Sequence, residues 1–302
     1  MVTNRLWCAL SAFNRPARRW IPISAPISLQ GQKLSMISWN VDGFSSRAVS
    51  RANLILDHIL EGPKSPDVIF LQEVTSSVRD SLLDDARVRA AFLTTDAKDQ
   101  TSFEGVPFAT MTLLSSKRFS QKEGDGIEGG EIFGCASRVV LPSKYRRDAL
   151  YVDITSPTTP NTFFRLINVH LDSLGNTQHN RTQQMEILAD VLREPGCNGG
   201  IIAGDFNAIC PEDDELVEKN GLVDAWIALH GRADPDGATW GVGVKRRHGL
   251  RPGRLDRVAM VGLKAEEMEV IRPGHIDVPR PGEDPLEIPW SDHYGLRCTF
   301  TI

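Results

Sequence analysis

The sequence predicts an α/β fold of largely antiparallel sheets with helices on the outside. Short apolar segments rich in Val, Ile and Phe recur along the chain, and helical spacing appears after only some of them. A Rossmann or barrel fold would alternate strand and helix throughout, whereas here several strands follow one another through 124–149. The 302 residues are enough for one large domain that buries roughly 75% of its unfolded surface.

Taken in order, the first segment differs from the rest. It carries Arg5, Arg15, Arg18 and Arg19, and the first acid is Asp42. Pro16, Pro22 and Pro26 cut any long amphipathic helix, so residues 1–33 are expected to form a poorly ordered basic tail or an organellar targeting segment. Residues 34–302 read as a single domain. Its strands are expected at 36–39, 68–71, 109–114, 149–154, 163–169, 200–203, 255–261 and 295–300. Apolar residues at helical spacing place helices at 47–60, 77–92 and 182–192. Gly and charge mark 124–130 and 231–252 as loops, and 273–289 reads as an irregular, Pro-rich connection.

Composition narrows the class. Hydrophobic residues make up 41% and charged residues 24%, and no apolar run approaches the ~20 residues of a membrane span. The cysteines Cys8, Cys135, Cys197, Cys210 and Cys298 are scattered without metal-finger spacing, which points to a reducing compartment. A net charge of -5 argues against a general nucleic-acid coat protein, because such binding depends on clustered Lys and Arg. It leaves room for an enzyme that grips phosphate through a metal.

The chemistry gathers at strand ends. Asn40, Glu73, His170 and the pair Asp205 and Asn207 each follow an apolar run, while Asp256 and Ser291-Asp292-His293 each precede one. In antiparallel sheets, strands that end at an edge and strands that begin there meet. All six clusters are therefore expected to line one cleft. The carboxylates Asp42, Glu73, Asp205, Asp256 and Asp292, the amides Asn40 and Asn207, and the imidazoles His170 and His293 form a hard, oxygen-rich set without thiols. Such a set suits Mg²⁺ and the hydrolysis of a phosphate ester.

Six blocks carry a resemblance: Ser38-Trp39-Asn40-Val41-Asp42-Gly43, Phe70-Leu71-Gln72-Glu73-Val74, Asn168-Val169-His170-Leu171-Asp172-Ser173, Gly204-Asp205-Phe206-Asn207, Arg254-Leu255-Asp256-Arg257 and Ser291-Asp292-His293. In this order they resemble the endonuclease/exonuclease/phosphatase family of deoxyribonuclease I type. The resemblance implies a four-layer α/β sandwich, two face-to-face mixed, largely antiparallel sheets flanked by helices. It is strongest to the branch that hydrolyses tyrosyl–DNA phosphodiesters in DNA repair, through Val223-Asp224-Ala225-Trp226, Thr239-Trp240 and Tyr294-Gly295-Leu296 as well. One departure stands out. That branch reads Thr-Asn-Leu-Arg after its catalytic Asp, and here Phe206, Asn207, Ala208 and Ile209 follow, without the arginine.

The resemblance implies Mg²⁺, with Mn²⁺ able to substitute, held by Glu73 and Asn40 and tuned by Asp42 and Asp292. Asp205 would be the general base, oriented by Asn207. His293, paired to Asp256, would meet the phosphoryl oxygens with His170 as a second donor. Arg181, Trp240, Arg246 and Arg247 are candidates for substrate contact, the last two in a basic run beside an aromatic, which suits single-stranded DNA. The implied substrate is a DNA 5′ end bearing a tyrosyl adduct, handled by a monomer without membrane contact. The resemblance places it in the nucleus; the basic tail suggests the mitochondrion, and the cytoplasm is the third choice. Other phosphodiesterases of the fold, acting on abasic DNA, RNA or inositol and lipid phosphates, and a noncatalytic adaptor are the competing readings.

Overall fold

Strands form already within the basic N-terminal segment. In chain order they are β1 (Arg5–Cys8), β2 (Ser11–Asn14), β3 (Arg19–Pro22) and β4 (Ile27–Leu29), followed by β5 (Lys33–Asn40). Helix α1 (Ala48–Glu61) leads to β6 (Val68–Val74), and α2 (Ser76–Asp84) and α3 (Ala86–Ala91) lead to β7 (Phe92–Thr94). Next come β8 (Ala109–Ser115), β9 (Phe119–Gln121), β10 (Ala136–Val140), β11 (Asp148–Thr155) and β12 (Phe163–His170). They are followed by α4 (Gln178–Leu192), β13 (Cys197–Asp205), α5 (Leu216–Lys219), β14 (Val223–Asp224) and α6 (Ala225–His230). The chain closes with β15 (Asp256–Val261), β16 (Lys264–Ile271), β17 (His275–Arg280), β18 (Glu283–Pro289) and β19 (Gly295–Thr301). This computed structural model describes residues 5–23, 26–62, 65–121, 136–156, 159, 161–242 and 251–302.

Strand periodicity builds the layers. Along β5, Met36 faces the apolar cluster between the two sheets, while its neighbour Ile37 turns outward onto α1 and α2 with Ile55, Ile59, Val78 and Leu82. Along β13, Ile201 faces inward and Ile202 packs outward against Met185 and Leu188 of α4. The result is helix, sheet, sheet, helix, the four-layer sandwich expected. One sheet runs β1-β10-β11-β12-β13-β15-β14, with β4 and β9 attached beside β11. The other runs β16-β19-β5-β6-β8-β7-β2-β3. Among the described strands, only β5 with β6, β12 with β13, and β4 with β11 pair in parallel.

Three expectations change. The segment 1–33 is not a poorly ordered tail over its described residues: β1 pairs with β10, β2 with β7 and β3, and β4 with β11. Leu10, Ile27 and Leu29 are buried in the core between the sheets, so this segment extends both sheets instead of trailing from them. The single helix read at 77–92 is two, because Asp85 stops α2 and its carboxylate accepts from the Arg87 and Val88 amides to start α3. The connection at 273–289 is the hairpin β17–β18. The expected loop 124–130 lies outside the described residues. No helix of the described chain is long and apolar enough to cross a membrane.

Polar side chains also cross between the sheets. Gln72 on β6 donates to Asn168 on β12 (2.8 Å), and Arg138 on β10 pairs with Asp96 (2.9 Å) and donates to the Thr110 carbonyl of β8 (2.7 Å). These contacts fix how the sheets face each other, because buried polar groups need their partners in place.

The packing of the N-terminal strands can be measured directly. Leu10→Ala is expected to cost about 2–4 kcal/mol in denaturant unfolding, the scale of a buried Leu deletion. A change below about 0.5 kcal/mol, the scale of a surface substitution, would return the segment to the status of a tail.

Candidate active site

Two of the three parallel pairs run out at one edge. Asn40 ends β5 beside Gln72 of β6, with Glu73 next, and His170 ends β12 level with Asp205 of β13. Strands that begin at this edge complete it: Asp256 opens β15 opposite Asp205, and Ser291–His293 leads into β19, which pairs with β5. The register thus brings the six expected clusters together.

Asp205 stands at the centre. Its Oδ2 accepts from the Asn40 amide (3.0 Å) and lies 3.4 Å from His170 Nε2 and 3.7 Å from His293 Nε2. Its Oδ1 accepts from the Asn207 backbone N–H (2.8 Å). Asn207 thus orients Asp205 through the main chain, while its side-chain amide donates to the Leu171 carbonyl (2.9 Å). Burial pushes the Asp205 carboxyl up to about 6, opposed by the nearby His293.

The two imidazoles are set to opposite protonation states. Burial disfavours charge on His293, but the Asp256 and Asp205 carboxylates outweigh it and raise this histidine well above its ordinary value. Its Nδ1 donates to Asp256 Oδ2 at 2.8 Å. Its loop is pinned by Ser291, whose hydroxyl donates to the Asn40 carbonyl (2.6 Å), and by Trp39, whose indole donates to the His293 carbonyl (3.0 Å). His170 goes the other way: burial, the Arg147 guanidinium and His293 hold it well below the usual imidazole range. It is a neutral ring, stacked on Phe108 at 5.4 Å.

Glu73 sits in a backbone irregularity of β6, where the register with β8 shifts between Leu71 and Val74. Its Oε1 lies 3.4 Å from the Asn40 amide and 3.9 Å from His170 Nε2, and its Oε2 accepts from the Gly43 N–H (3.1 Å). A Cβ at position 43 would meet the Glu73 carbonyl oxygen at 2.3 Å, so only glycine lets the two loops approach. Glu73, Asp42 and Asn207 all hold positive φ (55°, 51° and 49°), a conformation costly for non-glycine residues and concentrated at functional sites.

Burial pushes the Glu73 carboxyl up to about 7, with Asp205 adding to the effect. A buried acid and a partly buried one this close, an amide between them and no thiol form a donor set suited to a hard divalent cation. Glu73 and Asn40 are the residues that would hold it. A tighter triad, Asp205, Asp256 and His293, has ligand atoms within 4.8 Å of one another. The His293–Asp256 hydrogen bond already accounts for that proximity, so we read it as an acid–imidazole pair.

Other expected site residues fall differently. Asp42 turns its carboxylate to Arg51 (3.1 Å), and Arg51 also donates to the Ser46 and Trp290 carbonyls. With the Ser45 N–H on the other Asp42 oxygen (3.3 Å), that pairing holds the turn before Gly43. Asp292 is at the rim, half exposed, where it accepts from the Trp240 indole (3.0 Å) and lies 4.0 Å from His293 Nε2. Arg181 is fully buried, forms a two-pronged pair with Asp213 (2.9 and 2.7 Å), and donates to the Asp172 and Leu174 carbonyls. It braces the loop after β12 and cannot reach a substrate. Trp240 bridges to Gly253 and His293 at the site's edge. Arg246 and Arg247 lie outside the described residues.

The sequence reading misses Arg147. Its Nη2 is 3.3 Å from His170 Nε2, and its guanidinium lies over the Phe108 ring at 4.9 Å. The signal was present: a basic pair just ahead of β11, which begins where β12 ends, repeats the polar-first order of Asp256 and His293.

Comparison with known proteins agrees with this geometry. A profile described as the endonuclease/exonuclease/phosphatase family matches residues 37–293. Tyrosyl-DNA phosphodiesterase 2 of Danio rerio is 25% identical over 289 residues, covering 92% of this chain and 69% of the relative. The 5′-tyrosyl-DNA phosphodiesterase of Caenorhabditis briggsae is 25% identical over 215 residues, covering 68% of this chain and 53% of the relative. Among solved structures, D. rerio TDP2 complexed with single-strand DNA product superposes with a TM-score of 0.64 at 23% identity, covering 90% of this chain and all of that one.

The raised acids link metal to stability. A carboxyl whose folded value exceeds its unfolded one favours the fold while protonated, and that contribution is lost as pH rises from about 4.5 towards about 7 for Glu73. A divalent cation replaces the lost protons. Adding Mg²⁺ or Mn²⁺ at pH 7.5 is therefore expected to raise Tm by about 3–6 °C, and by much less at pH 5.5. Glu73→Gln should abolish the metal-dependent shift; an unchanged shift in that variant would move the metal elsewhere.

Proposed function

The chain belongs to the endonuclease/exonuclease/phosphatase family, and we propose that within it the protein hydrolyses the phosphodiester joining a tyrosine to a DNA 5′ end, using Mg²⁺. The observation that carries this reading is the convergence of Asn40, His170 and His293 on one buried oxygen of Asp205, with Glu73 beside them. The relatives named for tyrosyl-DNA phosphodiesterase activity supply the substrate class.

In this reading Asp205 takes a proton from water, which attacks phosphorus in line with the leaving oxygen. Asn40 and the Asn207 N–H hold the carboxylate in place for that transfer. Charged His293, kept protonated by Asp256, donates to a phosphoryl oxygen as negative charge builds there. His170, neutral, presents Nε2 beside Asp205, and Arg147 brings a fixed positive charge next to it. The new P–O bond forms as the bond to the tyrosyl oxygen breaks, leaving a 5′-phosphate and a phenolate. A phenolate is a good leaving group, so the chain needs no dedicated acid for it. A divalent cation held by Glu73 and Asn40 would supply Lewis-acid polarisation of the phosphate and neutralise developing charge. Trp240 stands on the DNA side in this reading.

Two measurements test it. Asp205→Asn is expected to lower kcat by about 10²–10⁴-fold with the fold intact, and the wild-type rate should rise as pH passes about 6, where Asp205 loses its proton. Near-normal turnover of that variant would end the base assignment. In a panel of a 5′-phosphotyrosyl oligonucleotide, an abasic duplex, an RNA and a phosphoinositide, the first is expected to be turned over best with Mg²⁺. Preference for another member reassigns the substrate, and failure on all with both Mg²⁺ and Mn²⁺ would favour an adaptor.

A further inference from the structure

A cleft of about 480 Å³ opens from Glu73, and Trp240 is not part of its lining. That volume lies within the roughly 300–1,000 Å³ usual for ligand sites. Its floor holds Phe108, the ring stacked on His170, and its lip holds Phe44 and Leu174, two of the most exposed large apolar side chains described (71% and 58%). Phe44 meets Phe108 edge to face at 4.8 Å, so the exposed ring is a fixed wall of the cleft.

The opposite wall is cationic. Lys144, Arg146 and Arg147 all line the cleft, and among the described residues none of the three forms an ion pair with a carboxylate. Their loop is built, not slack. Asp172, wholly buried, accepts from the Ser143 hydroxyl and the Lys144 N–H (2.8 Å), and the Ser143 hydroxyl accepts in turn from the Tyr145 and Arg147 N–H groups (2.9 and 3.0 Å). Arg146 is tied across the cleft to the Gly105 carbonyl (2.9 Å). Unpaired cations held beside exposed apolar walls suit a ligand that is both apolar and anionic.

We propose that this cleft seats the peptide attached to the tyrosine, and that its rim cations favour acidic residues next to it. The proposal rests on the function above and adds to it recognition of the protein side of the substrate. The DNA is left to the side of Trp240, which donates to Asp292 beside His293, whereas Arg147 stands beside His170. Lys144 and Arg146 are exposed, so their attraction is that of surface charges: modest, additive with a second pair, and screened by salt.

The test uses the full chain with Mg²⁺ and 5′-phosphotyrosyl oligonucleotides of one sequence, whose tyrosine sits in a short peptide flanked by Glu, by Gln or by Lys. The acidic peptide should exceed the basic one in kcat/KM by roughly fivefold at low salt, the scale of one or two exposed ion pairs, and the gap should close at about 0.5 M salt. Lys144→Glu with Arg146→Glu should bring the ratio to one or invert it, and Phe44→Ala should lower kcat/KM more for the peptide substrates than for one carrying tyrosine alone. An active enzyme indifferent to peptide charge overturns the proposal and leaves the function standing. A double variant whose loss grows with oligonucleotide length instead of peptide charge gives the cleft to DNA. An enzyme inactive on every tyrosyl substrate overturns both.

Discussion

A carboxylate buried away from water is the constraint on which this structure turns. Removing an ion from water costs several kcal/mol unless partners surround it, and Asp205 is only 1% exposed. Its partners come from β5, β12, the turn after β13 and the loop before β19, which belong to both sheets. The strand ends of the two facing sheets therefore have to meet at this point, with register correct to a single residue. A slip of one position in β12 or β13 would turn His170 or Asp205 to the opposite face.

The remaining architecture serves that meeting. One parallel pair in each sheet brings two strand ends to the same edge, and the antiparallel neighbours bring two strand starts. At Gly204 a Cβ would lie 2.0 Å from the Val169 carbonyl, so glycine is what allows β13 to run this close to β12 just before Asp205. Behind the site, Gln72 and Asn168 join across the sheets one residue before Glu73 and two before His170. Buried Arg51 gathers the Asp42 turn and the Trp290 carbonyl, and buried Arg181 gathers the loop after β12. These arginines are far from chemistry, yet they hold the backbone that carries it.

Strong electrostatic differences follow from burial at short range. Asp205 and Glu73 are raised, His293 is held charged and His170 neutral, although all four lie within a few ångströms. The divergence of the two histidines comes from their second neighbours, a carboxylate for His293 and a guanidinium for His170. Neighbouring groups driven apart in protonation are how one site can hold a base, a cationic donor and a neutral imidazole together.

Much of this was legible in the residues. Apolar runs of period two and their polar ends are local properties, so the strands, the six clusters and their convergence could be read from order alone, and Asn40, Glu73, His170, Asp205, Asp256 and His293 fall where expected. What a side chain faces is not local. Arg181 reads as a cleft residue but turns inward because Asp213, thirty-two positions away, offers it a two-pronged partner in the core. Asp42 reads as a possible ligand but is captured by Arg51. Arg147 enters the site because β11 begins where β12 ends, and the basic N-terminal segment becomes strands because both sheets present it an edge. Residue order alone specifies the chemical set and the strands that carry it. Tertiary structure decided which charges are spent on bracing loops and which remain for a substrate, because that choice depends on partners supplied by distant parts of the chain.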